Sequence, residues 1–125
     1  MLSLTGYQFY LYTGIADMRC GFNGLSGKVR NEMQRDPLLM DVIYVFFNQR
    51  RNQVKLLLWE KDGYAVYHKR LSAGTFGVPV YDERTGSVLL SKKDLTLILE
   101  GIEIRYRRRY ELERRSLGNP QYVEK

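Results

Sequence analysis

The chain has little cysteine, a single histidine and no long apolar run, and each scarcity excludes a class of protein. Cys20 is the only cysteine, so an internal disulfide is impossible and a cysteine-rich zinc site is excluded. No stretch approaches the ~18 uninterrupted apolar residues of a membrane-spanning helix. The first residues lack the basic and apolar regions of a signal peptide. We therefore expect a soluble, cytoplasmic protein that binds no metal and no other cofactor.

Catalytic groups are also scarce. His68, the only histidine, has no nucleophile or orienting acid near it in the sequence, so an ordinary place on a strand is the preferred interpretation. The aspartates are scattered singly, and no glycine-rich phosphate loop with its lysine is present. We therefore expect that the protein is not an enzyme. A small ribonuclease in which His68 handles a phosphodiester is the last alternative, and RNA cleavage that disappears in His68→Ala would revive it.

Positive charge is plentiful by contrast, and it is unevenly distributed. The chain has 20 lysines and arginines against 14 acidic residues, a formal charge of +6 at pH 7. Residues 105–115 contain six arginines, interleaved with tyrosines; the run begins with Arg105, Arg107, Arg108 and Arg109. Arginine binds phosphate oxygens in pairs and stacks on bases, which favours a polyanion as partner, nucleic acid first. A solvated charged tail without a partner is the alternative.

Length and pattern predict one α+β domain over residues 1–104, followed by a basic and partly mobile tail over residues 105–125. Residues 8–12 form an aromatic run that is typical of an opening strand. The runs at residues 42–47, 54–59 and 64–71 are separated by polar turns and predict a three-stranded antiparallel meander. Residues 87–90 are a candidate fourth strand. The expected fold is a small antiparallel sheet built on the meander, with one main helix packed on it and a short C-terminal helix.

Apolar spacing places the main helix at residues ~17–35, with Asp17 at the N-cap position. Glycines at positions 21, 24 and 27 disfavour a helix, so a start near Asn23 is the alternative. Ser91 and Asp94 have the spacing of a capping pattern and predict the second helix, whose apolar face continues to Ile102.

Candidate binding residues lie on the predicted meander. The pair Arg50–Arg51 occupies the tip of the first hairpin, where paired arginines can contact a phosphate or simply keep a turn soluble. Lys55, Lys69 and Arg70 lie on the strands that follow, with Lys69 and Arg70 on opposite faces. Trp59 is a candidate for stacking on a base, although anchoring the core is its more ordinary role.

Several blocks of sequence together resemble a known family. They are Asp17-Met18-Arg19, Asn23-Gly24-Leu25, Asn48 to Trp59, Asp62-Gly63-Tyr64, Lys69-Arg70-Leu71, Gly74-Thr75-Phe76 and Leu99-Glu100-Gly101-Ile102. The ordered series resembles the second-reading-frame protein of insertion-sequence-sixty-six-type bacterial elements, often labelled a TnpB accessory protein and unrelated to the RNA-guided nuclease of that label. The resemblance covers roughly residues 7 to 104. The family usually has a basic residue where this chain has Cys20.

This resemblance implies an accessory role in transposition beside a separately encoded transposase. Carried over by matching blocks, the functional positions are Arg19, Arg50, Arg51, Lys55, Trp59, Lys69 and Arg70. We expect a non-catalytic protein that binds DNA mainly through phosphate contacts. The alternative is an adaptor that holds the transposase through a tyrosine-rich sheet surface and does not touch DNA.

Overall fold

The chain folds into a five-stranded sheet with one helix on each face. The computed structural model describes residues 4–100. Its strands and helices, in chain order, are β1 (Gln8–Tyr12), α1 (Phe22–Asn31), β2 (Val42–Phe47), β3 (Gln53–Glu60), β4 (Gly63–Arg70), β5 (Ser87–Leu90) and α2 (Lys92–Leu99). A 3-10 turn, Glu83–Thr85, precedes β5. The predicted α+β class is confirmed, with a meander, a main helix and a shorter second helix.

The strands lie in the order β4-β3-β2-β1-β5. β2, β3 and β4 form the predicted antiparallel meander, and β5 pairs antiparallel with β1. The sheet is nevertheless mixed, because β1 and β2 run parallel. The connection between them explains the difference from the expected antiparallel sheet. Parallel neighbours need a crossover of a dozen or more residues, and the segment that contains α1 provides it.

Both faces of the sheet are covered at its central strand. All six residues of the central strand β2 are buried, and they alternate between the two faces. Ile43, Val45 and Phe47 join the apolar cluster beneath α2, on the α2 face. The other three residues join the cluster beneath α1, on the α1 face. A continuous apolar run is what a strand covered on both sides requires.

Helix α1 begins later than Asp17. Its N-cap is Gly21 and its first residue is Phe22, close to the alternative start near Asn23. The Asp17 N-cap is wrong because that carboxylate binds Arg19 instead, accepting hydrogen bonds from its backbone amide (2.8 Å) and from its guanidinium. Residues 17–20 form a turn in place of a first helical turn, closed by a bond from the Cys20 amide to the Asp17 carbonyl (3.0 Å).

Helix α2 begins where the capping pattern predicts. Ser91 is the N-cap, its side chain accepts from the Asp94 amide, and the Asp94 side chain accepts from the Ser91 amide. Leu95 and Ile98 are buried in the cluster on the α2 face. Ile102, the last predicted apolar position, lies outside the described residues.

Gly86, just before β5, lies against Glu32 at the end of α1, and replacing it tests how closely these segments pack. It has a φ of +81°, and a Cβ there would collide with the backbone oxygen of Glu32. We expect Gly86→Ala to lower the free energy of unfolding by about 2–4 kcal/mol, because neither the backbone conformation nor the neighbouring carbonyl can adjust cheaply. Urea unfolding followed by circular dichroism measures the change.

Gly27→Ala is the matched control. Gly27 lies within α1 and has open space where its Cβ would go. Alanine should therefore raise stability there by about 0.5–1 kcal/mol. Equal effects of the two substitutions would show that Gly86 does not pack against Glu32.

Candidate nucleic-acid interface

Several of the predicted basic residues meet at one end of the sheet. β1, β2 and β4 finish at this end, whereas β3 and β5 begin there. The β2–β3 hairpin turns here at residues 48–52, so we call it the hairpin end. The loop after β1 brings Arg19 to it, and the end of β4 brings residues 68–70. Three separate parts of the sequence therefore contribute to one surface.

Asn48 organises the hairpin turn. Its Oδ1 accepts hydrogen bonds from the backbone amides of Asn52 (3.1 Å) and Gln53 (3.0 Å), and its Nδ2 donates to Oδ1 of Asn52 at 2.7 Å. Asparagine favours such local bonds in turns. Gln49 and Arg50 are exposed at the tip, and neither side chain forms a hydrogen bond or ion pair within residues 4–100. The turn thus presents one amide and one guanidinium to solvent.

Arg51 points back into the protein. Its backbone has a φ of 59°, and its guanidinium donates to the carbonyl oxygen of Val78 at 2.9 Å. Its own carbonyl accepts from the amide of Phe76 at 2.7 Å. Phe76 is fully buried on the α2 face, where its ring contacts Phe47 edge-on at 5.5 Å between centroids. Arg51 therefore holds the loop after β4 over the core, and of the predicted pair only Arg50 faces outward.

Lys55 has a similar internal role on the other face. Its side chain is buried, and its ammonium donates to the carbonyl oxygens of Met18 at 2.8 Å and Cys20 at 2.7 Å. A buried charge is tolerated only when such bonds replace its water. Lys55 therefore fixes the turn that carries Arg19 against the sheet, and it joins two of the blocks on which the family resemblance rests.

An open groove runs between this turn and the hairpin. One wall is formed by residues 15–19 and the other by residues 48–50 and Gln53. Arg19 lies on the first wall with its side chain 91% exposed, in an ion pair of 2.6 Å with Asp17. The hydrogen bonds from Arg19 hold the pKa of the Asp17 carboxyl at about 2, so it stays ionised. Arg50 lies on the opposite wall. We call this feature the hairpin-end groove.

Gln53 connects the groove to the end of β4. Its Oε1 lies 2.9 Å from Nε2 of His68, and its cross-strand partner is Arg70. Burial lowers the pKa of His68, and the positive charges of Lys55 and Arg70 lower it further. His68 and Arg70 are exposed, and alternation along the strand places both on the α1 face with Gln53. Lys69 is also exposed, but it lies opposite Val54 and so on the α2 face.

Trp59 does not belong to the hairpin end. Trp59 is near the far end of β3, about 20 Å from Gln53 at the usual rise per strand residue, and it contacts Tyr64 edge-on with ring centroids 5.0 Å apart. The arginines of the C-terminal run, Arg105, Arg107, Arg108 and Arg109, lie outside the described residues. Two amides that sequence reasoning did not select, Gln49 and Gln53, also line the groove. Their only signal was their place between the basic residues of the hairpin block.

The sequence matches the IS66 Orf2-like protein family over residues 7–109. The chain belongs to this family. The family is associated with transposition as an accessory component, which confirms the resemblance. The match also extends past residue 104, where the resemblance was expected to end, into the arginine-rich run.

Two uncharacterized proteins of Sinorhizobium fredii (strain NBRC 101917 / NGR234) are relatives of this IS66 Orf2-like protein. y4hO is 30% identical over 99 residues, which cover 79% of this chain and 84% of y4hO. y4jC is 28% identical over 98 residues, which cover 78% of this chain and 81% of y4jC. No solved structure gives a significant match.

Two kinds of feature are absent from residues 4–100. No helix there is long and apolar enough to cross a bilayer. The same residues contain no group of three or more histidine, cysteine or acidic side chains arranged to hold a metal ion.

Replacing Lys55 tests the internal role of its buried ammonium. Lys55→Met keeps much of the side-chain volume but leaves the carbonyls of Met18 and Cys20 without their donor. We expect the free energy of unfolding to fall by about 1–3 kcal/mol, the cost of unsatisfied buried polar groups. Lys69→Met makes the same chemical change at an exposed position and should stay within about 0.5 kcal/mol of the parent protein. Equal losses in urea unfolding would contradict the internal role of Lys55.

The titration of His68 reports on the charges around the end of β4. As the only histidine, His68 can be followed by NMR, and its midpoint should lie below the ordinary value of about 6.5. Arg70→Gln should raise this pKa because a nearby positive charge is removed, whereas Lys69→Gln, on the other face, should leave it unchanged. Because the pKa is lower in the folded state, the stability that His68 contributes is present above its unfolded pKa and decreases as pH falls below it. If the titration midpoint of His68 does not change in Arg70→Gln, Arg70 does not lie close to His68.

Proposed function

We propose that this IS66 Orf2-like protein is a non-catalytic, nucleic-acid-binding accessory factor for DNA transposition, and that it acts beside a separately encoded transposase. We propose further that the hairpin end is its DNA contact surface. One observation carries the proposal: Arg19, Arg50 and Arg70 come from three distant segments and lie exposed at the same end of the sheet, on its α1 side.

The chemistry of these three groups suits phosphate. Guanidinium groups bind phosphate oxygens in pairs, and such contacts position a protein on nucleic acid without reading its sequence. Arg50 and Arg70 have no acidic partner within residues 4–100. The charge of Arg19 is partly compensated by Asp17, which also fixes the direction of its guanidinium. Three phosphate contacts to duplex DNA would give a slope of about 2.7 in a plot of the logarithm of affinity against the logarithm of salt concentration. Six contacts would give a slope of about 5, and they would require the arginine-rich run.

A protein-interaction role is the second candidate, and one feature favours it. Leu38, Leu39 and Met40 are consecutive in the connection between α1 and β2, and each is 41–51% exposed. Exposed apolar groups of this kind are common in protein interfaces. The tyrosine-rich sheet itself offers less than the sequence suggested, because Tyr12 and Tyr44 are buried beneath α1. An adaptor would therefore use this connection for the transposase.

The binding proposal is tested by removing single arginines. Arg19→Ala and Arg50→Ala should each weaken binding to fluorescent DNA about three- to tenfold and lower the log–log salt slope by about 1, as loss of one phosphate contact requires. Fluorescence anisotropy over a series of salt concentrations measures both quantities.

Lys93→Ala is the control. It also removes one positive charge, but Lys93 is exposed in the first turn of α2, which follows the end of β5 that lies farthest from the hairpin. Its removal should change affinity less than twofold. Similar losses in all three variants would mean that net charge, and not the hairpin end, determines binding. The adaptor is tested by a pull-down of the transposase. Recovery of transposase that survives nuclease treatment, and that Arg50→Ala combined with Arg51→Ala does not reduce, would favour the adaptor.

A further inference from the structure

The hairpin-end groove contains groups that phosphate contacts do not require. Gln49 is exposed without an internal hydrogen bond, and Gln53 uses its Oε1 on His68 while its amide hydrogens have no partner within residues 4–100. Ile15 adds an apolar surface to the same groove and is 49% exposed. Two guanidinium groups, two amides and an aliphatic side chain thus line one concave surface.

We propose that this groove takes unpaired nucleotides of single-stranded DNA, with a base between the two walls and its flanking phosphates on Arg19 and Arg50. The inference rests on the proposed function, and it specifies which form of DNA the site accepts. Four properties of the groove lead to it: its charge, its amides, its apolar wall and its rigidity.

The charge of the groove is small. Arg19 and Arg50 contribute two positive charges and Asp17 one negative charge, so its net charge is +1. Strong electrostatic binding to duplex DNA comes from many phosphate contacts, about 6–10 in a protein whose affinity falls steeply with salt. Two guanidinium groups on opposite walls of a groove instead match the one or two phosphates of a short single strand. The groove therefore has enough charge for an unpaired segment and too little to hold a duplex by itself.

The amides indicate a base and not only a backbone. A phosphate oxygen can only accept hydrogen bonds, so the carbonyl oxygen of Gln49 has no use on a sugar-phosphate chain. Base edges contain donors as well as acceptors, and their pairing edges are free only in an unpaired strand. A duplex can also offer an adenine edge to an amide in its major groove. Only an unpaired base, however, can lie between the two walls of the groove that Gln49 and Gln53 help to line.

The apolar wall and the rigidity complete the site. Ile15 can pack against the face of a base, although none of the described lining residues is aromatic, so we expect modest affinity. The first wall is held by Lys55 and by a bond from the Ala16 amide to the Phe47 carbonyl at 3.0 Å. The second wall is held by Asn48. Because both walls are formed before binding, little ordering cost opposes the strand.

The test compares a fluorescent 12-nucleotide single strand with its own duplex, using the full chain. We expect the single strand to bind at least tenfold more tightly than the duplex, with a salt slope from the groove of about 1.4 for two phosphates. Gln49→Ala combined with Gln53→Ala should weaken single-strand binding about tenfold and leave duplex binding within twofold. Gln8→Ala, an exposed glutamine at the other end of β1, should change neither. The arginine-rich run is the same in every variant, so its contribution cancels when a variant is compared with the parent protein on the same DNA.

The outcomes separate this inference from the proposed function. Duplex binding as tight as single-strand binding would overturn the inference, while salt-dependent binding through Arg19 and Arg50 would keep the proposed function. Unchanged single-strand binding in the double glutamine variant, with melting temperatures equal to the parent protein, would also overturn it. Failure of both DNA forms to bind would contradict the proposed function itself.

Discussion

The hairpin end depends on one buried ammonium group. Lys55 lies within the sheet, and its Nζ is satisfied by two carbonyl oxygens of the turn that follows β1. Because an unpaired buried charge would be costly, these bonds fix where the turn lies. The turn then sets the position of Arg19 and of the groove wall beside it. It also occupies the residues before Phe22, where α1 begins. Two blocks distant in sequence thus form one surface.

The basic residues of the hairpin block divide into two kinds. Lys55 and Arg51 donate to backbone carbonyls of irregular segments, which have no neighbouring strand to pair with and need other donors. Long cationic side chains supply such donors while crossing apolar surroundings. Arg50 alone is left facing outward from the hairpin. The positive charges of this block therefore include groups that hold loops in place as well as the exposed arginine that we propose as a polyanion contact.

Local patterns predicted the local structure well, because each depends on neighbouring residues. The strands Gln8–Tyr12 and Ser87–Leu90 and the capping box at Ser91 follow from alternation and side-chain chemistry within a few positions. The parallel pairing of β1 with β2 and the inward direction of Arg51 depend on contacts between distant segments, which one sequence does not encode locally. The Asp17 cap was wrong because Arg19 competed for the same carboxylate.

The most direct test of the hairpin end as the contact surface is an NMR map of backbone amides in the full chain as single-stranded DNA is added. We predict that the largest shifts fall on residues 15–20, 48–53 and 68–70, which Lys55 and Gln53 join into one surface. Shifts confined to residues 101–125, or centred on β5 and α2, would show that DNA binds elsewhere. Such a result would contradict the assignment of the hairpin end as the contact surface.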